Sequence, residues 1–261
     1  MATTPARPLR RERAFILAAL LALSAVAWAA VVWQSRRVAV DMDMGMGGSL
    51  TMGMGALLFL VIWVIMMVAM MFPTAAPMVL TFAAISHGRQ KNGQAFVPTW
   101  FFVLAYLFVW TLFGIVAFLA ASMLDALGSN VMVLKDNAPR IGGAVLMLAG
   151  AYQLSPLKDL CVTQCRTPMD FILTSWKDGY AGAFKMGVRH GVYCLGCCWL
   201  LFVLLFPLGV MNVAAMGLVT LLVFAEKSVL HGPWIGRVAG MGLVAFGIVV
   251  VILPRLLPSS M

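Results

Sequence analysis

The sequence predicts an all-α fold, a polytopic membrane helix bundle of about seven transmembrane helices forming one integral membrane domain over residues 1–261. Three observations predict it. Of the 261 residues 63% are apolar and 10% charged, against about 45–50% and about 25% in an ordinary soluble domain. The apolar residues fall in runs of the ~20 residues needed to cross a hydrocarbon core. Those runs are continuous and do not alternate, which favours helices over a barrel. This composition excludes a soluble enzyme, a disordered chain and a nucleic-acid-binding partner role, although the net charge is +9.

The spans follow in order as 14–33, 56–85, 96–124, 141–154, 187–206, 213–225 and 238–253, the fourth and sixth being short. The second contains Pro73 and Pro77. Proline lacks the backbone donor and strains the preceding turn, so this span is expected to kink at Pro73 or end soon after. The first span also fits a signal peptide, with a basic start and small residues at Ala27 to Ala30; cleavage would leave six spans. Its length favours a retained anchor.

Basic residues in short loops set orientation. With the N-terminus cytoplasmic, the inner segments carry Arg7, Arg10, Arg11, Arg13, Arg89, Lys91, Lys158, Arg166, Lys177, Lys185, Arg189, Lys227 and Arg237. The outer ones carry only Arg36, Arg37, Lys135, Arg140 and Arg255. The positive charge is therefore a topology signal. It defines a basic cytoplasmic tail at 1–13, a Met/Gly-rich outer loop at 34–55, and a cytoplasmic loop at 155–186. Ser155-Pro156 in that last loop reads as the N-cap and first position of a short helix, which Pro168 closes.

Twenty methionines are present, and ten lie between Met42 and Met78. The outer loop holds Asp41, Met42, Asp43, Met44, Met46, Met52 and Met54. Thioethers are soft, neutral donors suited to Cu(I), and the carboxylates attract any cation, so this segment is a candidate for metal capture. The competing reading is a loop that dips into the membrane. Within the second span Met66, Met67, Met70 and Met71 form two overlapping i, i+4 pairs, within about a 140° arc of the helix. Such a stripe could pass a soft ion between sulfurs, or simply fill gaps between helices.

All five cysteines fall in two groups, Cys161 with Cys165 and Cys194 with Cys197 and Cys198. The first pair shares a helical face. The trio lies with His190 inside about a 100° stripe of the fifth span, so His190 joins the candidate metal set. Buried cysteine is often only a small apolar residue, but five scattered ones would not group in this way. The cytoplasm keeps thiols reduced, which argues against structural disulfides. No His follows the C-x-x-C, so it is not a c-type haem site. A closed tetrahedral Zn site is one reading. Only a soft ion accounts for methionines and cysteines together, which favours Cu(I). Glu226, beside Lys227 at the end of the sixth span, is either snorkelling or, facing the bundle, pairs with Lys185 or Arg189 or relays charge. His87 and His231 are read as solvated. No phosphate-binding glycine-lysine loop is present, so this chain does not drive transport by its own ATP hydrolysis.

The strings WVIMMVAMMFP at 63–73, GAYQLSPLKDLCVTQCRTP at 150–168 and HGVYCLGCCW at 190–199, with Gly209-Val210-Met211-Asn212 and Glu226-Lys227, resemble the bacterial "predicted metal-binding integral membrane protein" family over roughly residues 50 to 230. The resemblance implies metal handling, with copper suspected and delivery to a copper oxidase proposed for some relatives, and no enzyme activity. With the spans and the soft ligands, the expectation is a multi-pass protein in the lipid bilayer of the bacterial inner membrane that binds Cu(I) for transport or for delivery to a periplasmic cuproenzyme or metallochaperone. The resemblance marks Met66, Met67, Met70, Met71, Cys161, Cys165, Cys194, Cys197, Cys198 and Glu226. The outer methionines rest on composition alone. Two other readings stand beside copper handling: a membrane thiol–disulfide oxidoreductase, supported by the C-x-x-C, and a structural or assembly subunit of a membrane complex.

Overall fold

The computed structural model describes residues 6–43, 50–51, 53–91, 93, 97–130 and 137–253. Every element among them is an α-helix: α1 Ala6–Asp43, α2 Ala56–Lys91, α3 Thr99–Asn130, α4 Ala138–Gln153, α5 Pro156–Arg166, α6 Pro168–Ser175, α7 Gly179–Val203, α8 Leu205–Leu208, α9 Val213–Ser228 and α10 Gly232–Ile252.

Five stretches are long and apolar enough to cross a membrane: Arg11–Arg37, Ala56–Gln90, Thr99–Leu127, Gly179–Leu208 and Gly232–Ile252. The expected fourth and sixth spans are α4 and α9, each of 16 residues. At 1.5 Å per residue each reaches about 24 Å, short of the ~30 Å hydrocarbon core. The expected seven spans therefore become five helices of spanning length and two shorter ones packed among them.

Helix boundaries move as well. No glycine or proline interrupts the chain between Ala14 and Gly45, so α1 runs on to Asp43 and residues 34–43, expected as loop, are helical. Asp41, Met42 and Asp43 lie on its last turn, with side chains outside the described residues, as are Met44, Met46 and Met52 altogether. The expected 155–186 loop contains two helices and the start of a third. Ser155 caps α5 as expected, its hydroxyl accepting from the Lys158 amide at 3.3 Å. Pro168 closes that helix by opening the next.

Pro73 does not end α2, which continues to Lys91. A proline at 73 leaves the carbonyl of Ala69 without its helical donor. The buried Ser24 hydroxyl of α1 donates to that carbonyl at 2.7 Å. The lost bond is thus replaced from the neighbouring helix, which pins α1 to α2 at the proline. Ser24→Ala leaves the Ala69 carbonyl buried and unpaired, so a loss of about 1–3 kcal/mol is expected. Thermal unfolding in detergent checks it, with Ser24→Thr retaining most of the stability.

α1 lies along α2, α2 against α3, and α3 against α7, while α4 pairs closely with α10. That last pairing depends on four glycines, Gly143 and Gly150 of α4 and Gly240 and Gly247 of α10. A Cβ at Gly150 would sit 2.6 Å from the Gly240 carbonyl, and one at Gly240 would sit 2.7 Å from the Gln153 Cβ. Small residues let helices in lipid approach backbone to backbone, where no hydrophobic drive separates helix from tail. α5 rests on the flank of α7, and this contact assembles the site.

Candidate metal centre

Cys194, Cys197 and Cys198 lie about halfway along the Gly179–Leu208 span, and each is only 1% exposed. Helix geometry turns all three the same way. The thiols of Cys197 and Cys198 donate to the Cys194 carbonyl, at 3.0 and 2.8 Å. The Cys194 sulfur instead faces two polar side chains. Lys227 Nζ reaches it at 3.1 Å and the Tyr106 hydroxyl lies 3.2 Å away. A cation and a phenol around one sulfur are the surroundings a thiolate ligand needs.

α5 brings the second group to the first. Its i, i+4 spacing puts Cys161 and Cys165 on the face that meets α7. The Cys165 thiol interacts with Cys194 and Cys197. The Cys161 sulfur packs on Gly196, where even a Cβ would come within 2.8 Å of it. Glycine at 196 is thus what admits Cys161. Burial pushes the Cys161 thiol up, and neighbouring Cys197 adds to this. Cys165, half-buried, is held well above the ordinary thiol range by the neighbouring Cys194 and Cys197 sulfurs and by its partial removal from water. All five cysteines are free. Among the described residues no three or more His, Cys, Asp or Glu side chains form a ready-made metal cage, so a bound ion would draw the sulfurs in and displace their protons.

The methionine stripe lies in the same core. Met66, Met67, Met70 and Met71 are each no more than 1% exposed. They belong to one cluster with Cys194, Cys197, Cys198 and the fully buried Met216 of α9. Cys161 and Cys165 pack against it from one side, and Met54 packs against it too. Of the expected capture segment, Met54 is thus the residue seen joined to the core. Asp125, near the far end of α3, fixes the chain just before it, accepting from the amides of Leu50 at 2.7 Å and Thr51 at 3.1 Å and from the Thr51 hydroxyl at 3.1 Å. Asp125→Ala removes charge-assisted bonds of about 1.5–3 kcal/mol each. Amide exchange at Leu50 and Thr51 should then accelerate at least roughly tenfold.

His190, one turn before Cys194, is 3% exposed. Its ring sits among Phe102, Tyr106 and Phe171, with centroids at 5.9, 5.4 and 5.8 Å. Neither ring nitrogen has a hydrogen-bond partner. A buried imidazole with both nitrogens unspent retains a donor for a metal.

Glu226 is not snorkelling. It is 3% exposed and pairs with Lys158, not with Lys185 or Arg189, at 2.6 Å. Arg189 instead donates to Ser175 at 2.9 Å. Gln153 completes the cluster, its amide donating to Glu226 at 2.8 Å and its carbonyl accepting from Lys158. Arg166, at the other end of α5, donates to the carbonyls of Glu226, Val229 and Leu230 at 2.7, 2.9 and 3.2 Å. Both ends of the Cys161–Cys165 helix are therefore tied to the end of α9, whose next residue, Lys227, touches Cys194. His87, expected as solvated, pairs with Glu12 at 3.1 Å, whereas His231 is exposed.

Sequence reasoning missed Tyr106 and Lys227 as partners of Cys194, and Lys158 and Gln153 as partners of Glu226. The available signal was the rarity of ionisable residues beside apolar spans, which marks each as paired.

No curated protein and no solved structure matches the chain at a significant level. Residues 60–250 match the model of a family described as a copper chaperone, PpoB2. The matched stretch runs from the methionine stripe through both cysteine groups to α10, most of the chain, and a chaperone role is not an enzymatic one. The chain belongs to the PpoB2 copper chaperone family.

Proposed function

We propose that this protein binds Cu(I) as cargo through methionine and cysteine sulfurs within the membrane and delivers it to a copper enzyme or metallochaperone on the periplasmic side. Met54 and the outer methionines gather the ion. Met66, Met67, Met70, Met71 and Met216 offer successive thioethers. Cys165, Cys194, Cys197 and Cys198 hold it, with Cys161 at the edge and His190 as a nitrogen donor. The observation that carries this reading is that two cysteine groups distant in sequence meet against one methionine-lined core. Thiolate and thioether together select Cu(I), whereas methionine adds little for zinc, the alternative ion for the cysteines alone. The bacterial inner membrane with the N-terminus cytoplasmic is the location this reading requires.

The test is copper stoichiometry on the purified full chain under reducing conditions. About one Cu(I) per chain is expected, and it is lost when all five cysteines become serine. Undiminished binding in that variant would remove the cysteines from the site. The contact of Cys165 with Cys194 also favours a second reading, thiol–disulfide exchange. Labelling of Cys161 by a membrane-impermeant reagent from the periplasmic side would support that reading against copper delivery.

A further inference from the structure

The end of the bundle remote from Met54 carries a second feature. There the first turns of α1 and the adjoining ends of α2 and α3 border an open cavity of about 400 Å³. Arg11 and Arg13 line it together with Phe15, Ile16, Ala83 and Ala84. It sits where three of the spanning stretches begin or end: Arg11 opens the first, His87 lies near the close of the second, and Thr99 opens the third. The ends of spanning helices are where lipid phosphates meet acyl chains.

The charges in it are unevenly matched. The one carboxylate, Glu12, is held by His87 at 3.1 Å. Arg11 and Arg13 have no carboxylate partner among the described residues. Arg11 and Phe15 are four apart and so share a face of α1, the guanidinium at the polar end and the ring, 75% exposed, one turn deeper. The cavity thus offers guanidinium groups and an apolar wall side by side. A free phosphate ion would use the arginines but leave the apolar wall wet. A zwitterionic headgroup would set its own cation against two guanidinium groups.

We propose that this cavity binds an anionic phospholipid, with the phosphate on Arg11 and Arg13 and the first methylenes of its chains against Phe15, Ile16, Ala83 and Ala84. Guanidinium grips phosphate oxygens in a fork, which a diffuse surface charge does not. Basic pockets between membrane helices at this level bind headgroups in the same way. The proposal is independent of what the cysteines bind.

Native mass spectrometry of the detergent-purified full chain tests it, with phosphatidylglycerol, phosphatidylcholine and inorganic phosphate as the probes. One phosphatidylglycerol should be retained in preference to phosphatidylcholine and should survive excess inorganic phosphate. Arg11→Gln with Arg13→Gln should weaken retention by about fivefold per arginine, on the order of 25-fold together, while Lys177→Gln, an exposed basic change outside the cavity, should have no effect. Equal retention of phosphatidylcholine, displacement by phosphate, or equal loss in Lys177→Gln would overturn the proposal. The first two comparisons use the unaltered chain, so a poorly folding variant does not protect it.

Discussion

Glu226→Ala is expected to destabilise the protein by about 3–5 kcal/mol, the cost of leaving one member of a buried ion pair uncompensated. Lys158 and Glu226 are each 3% exposed and 2.6 Å apart. Removing the carboxylate strands an ammonium that only Gln153 can still satisfy. Glu226→Gln keeps the volume and a hydrogen bond but not the charge, and should cost less. The double change Lys158→Met with Glu226→Leu should restore most of the stability, because a well-packed apolar pair often matches an ion pair that had to be desolvated. Urea or thermal unfolding of the three variants checks the order. The pair also has a functional consequence. Lys158 lies on the helix that carries Cys161 and Cys165, so the apolar double variant separates stability from positioning. If it folds well yet binds Cu(I) more weakly, the ion pair sets the place of α5 and does more than support the fold.

The second large effect concerns Cys194. Among the single cysteine changes, Cys194→Ser should lower Cu(I) affinity most, on the order of 100-fold, and Cys161→Ser least. Only Cys194 has a cation and a phenol on its sulfur, at 3.1 and 3.2 Å. Cys161 sits at the edge, against Gly196. Lys227→Met and Tyr106→Phe act through Cys194 and should each cost roughly 10–100-fold, the usual range for partners that orient and charge a ligand. Competition against a chromogenic Cu(I) chelator measures the five single cysteine variants and these two. A flat response across the five cysteines would show that Cys194 has no special place.

The sequence carries those parts of this architecture that depend on local spacing. The i, i+4 cysteines, the methionine stripe and the Ser155 cap are set by helix geometry and reappear where the pattern puts them. The long apolar runs become spanning helices for the same reason. What spacing does not carry is pairing across the chain. Lys158 and Glu226 are 68 residues apart, and Ser24 finds the Ala69 carbonyl across 45. Such contacts follow from how helices cross. α2 passes through Pro73 with a neighbour replacing the missing bond, which a proline rule applied to one helix does not foresee. Likewise α4 and α9 are apolar but short, and hydropathy alone does not give their length.

The central claim is that sulfur from both sequence regions forms one soft site. X-ray absorption at the copper edge on the Cu(I)-loaded full chain tests it most directly. The account predicts a first shell dominated by sulfur, with at most one nitrogen from His190, and loss of that shell when Cys165 and Cys194 are both replaced by serine. A shell of oxygen and nitrogen, or an unchanged sulfur shell in the double variant, would contradict it.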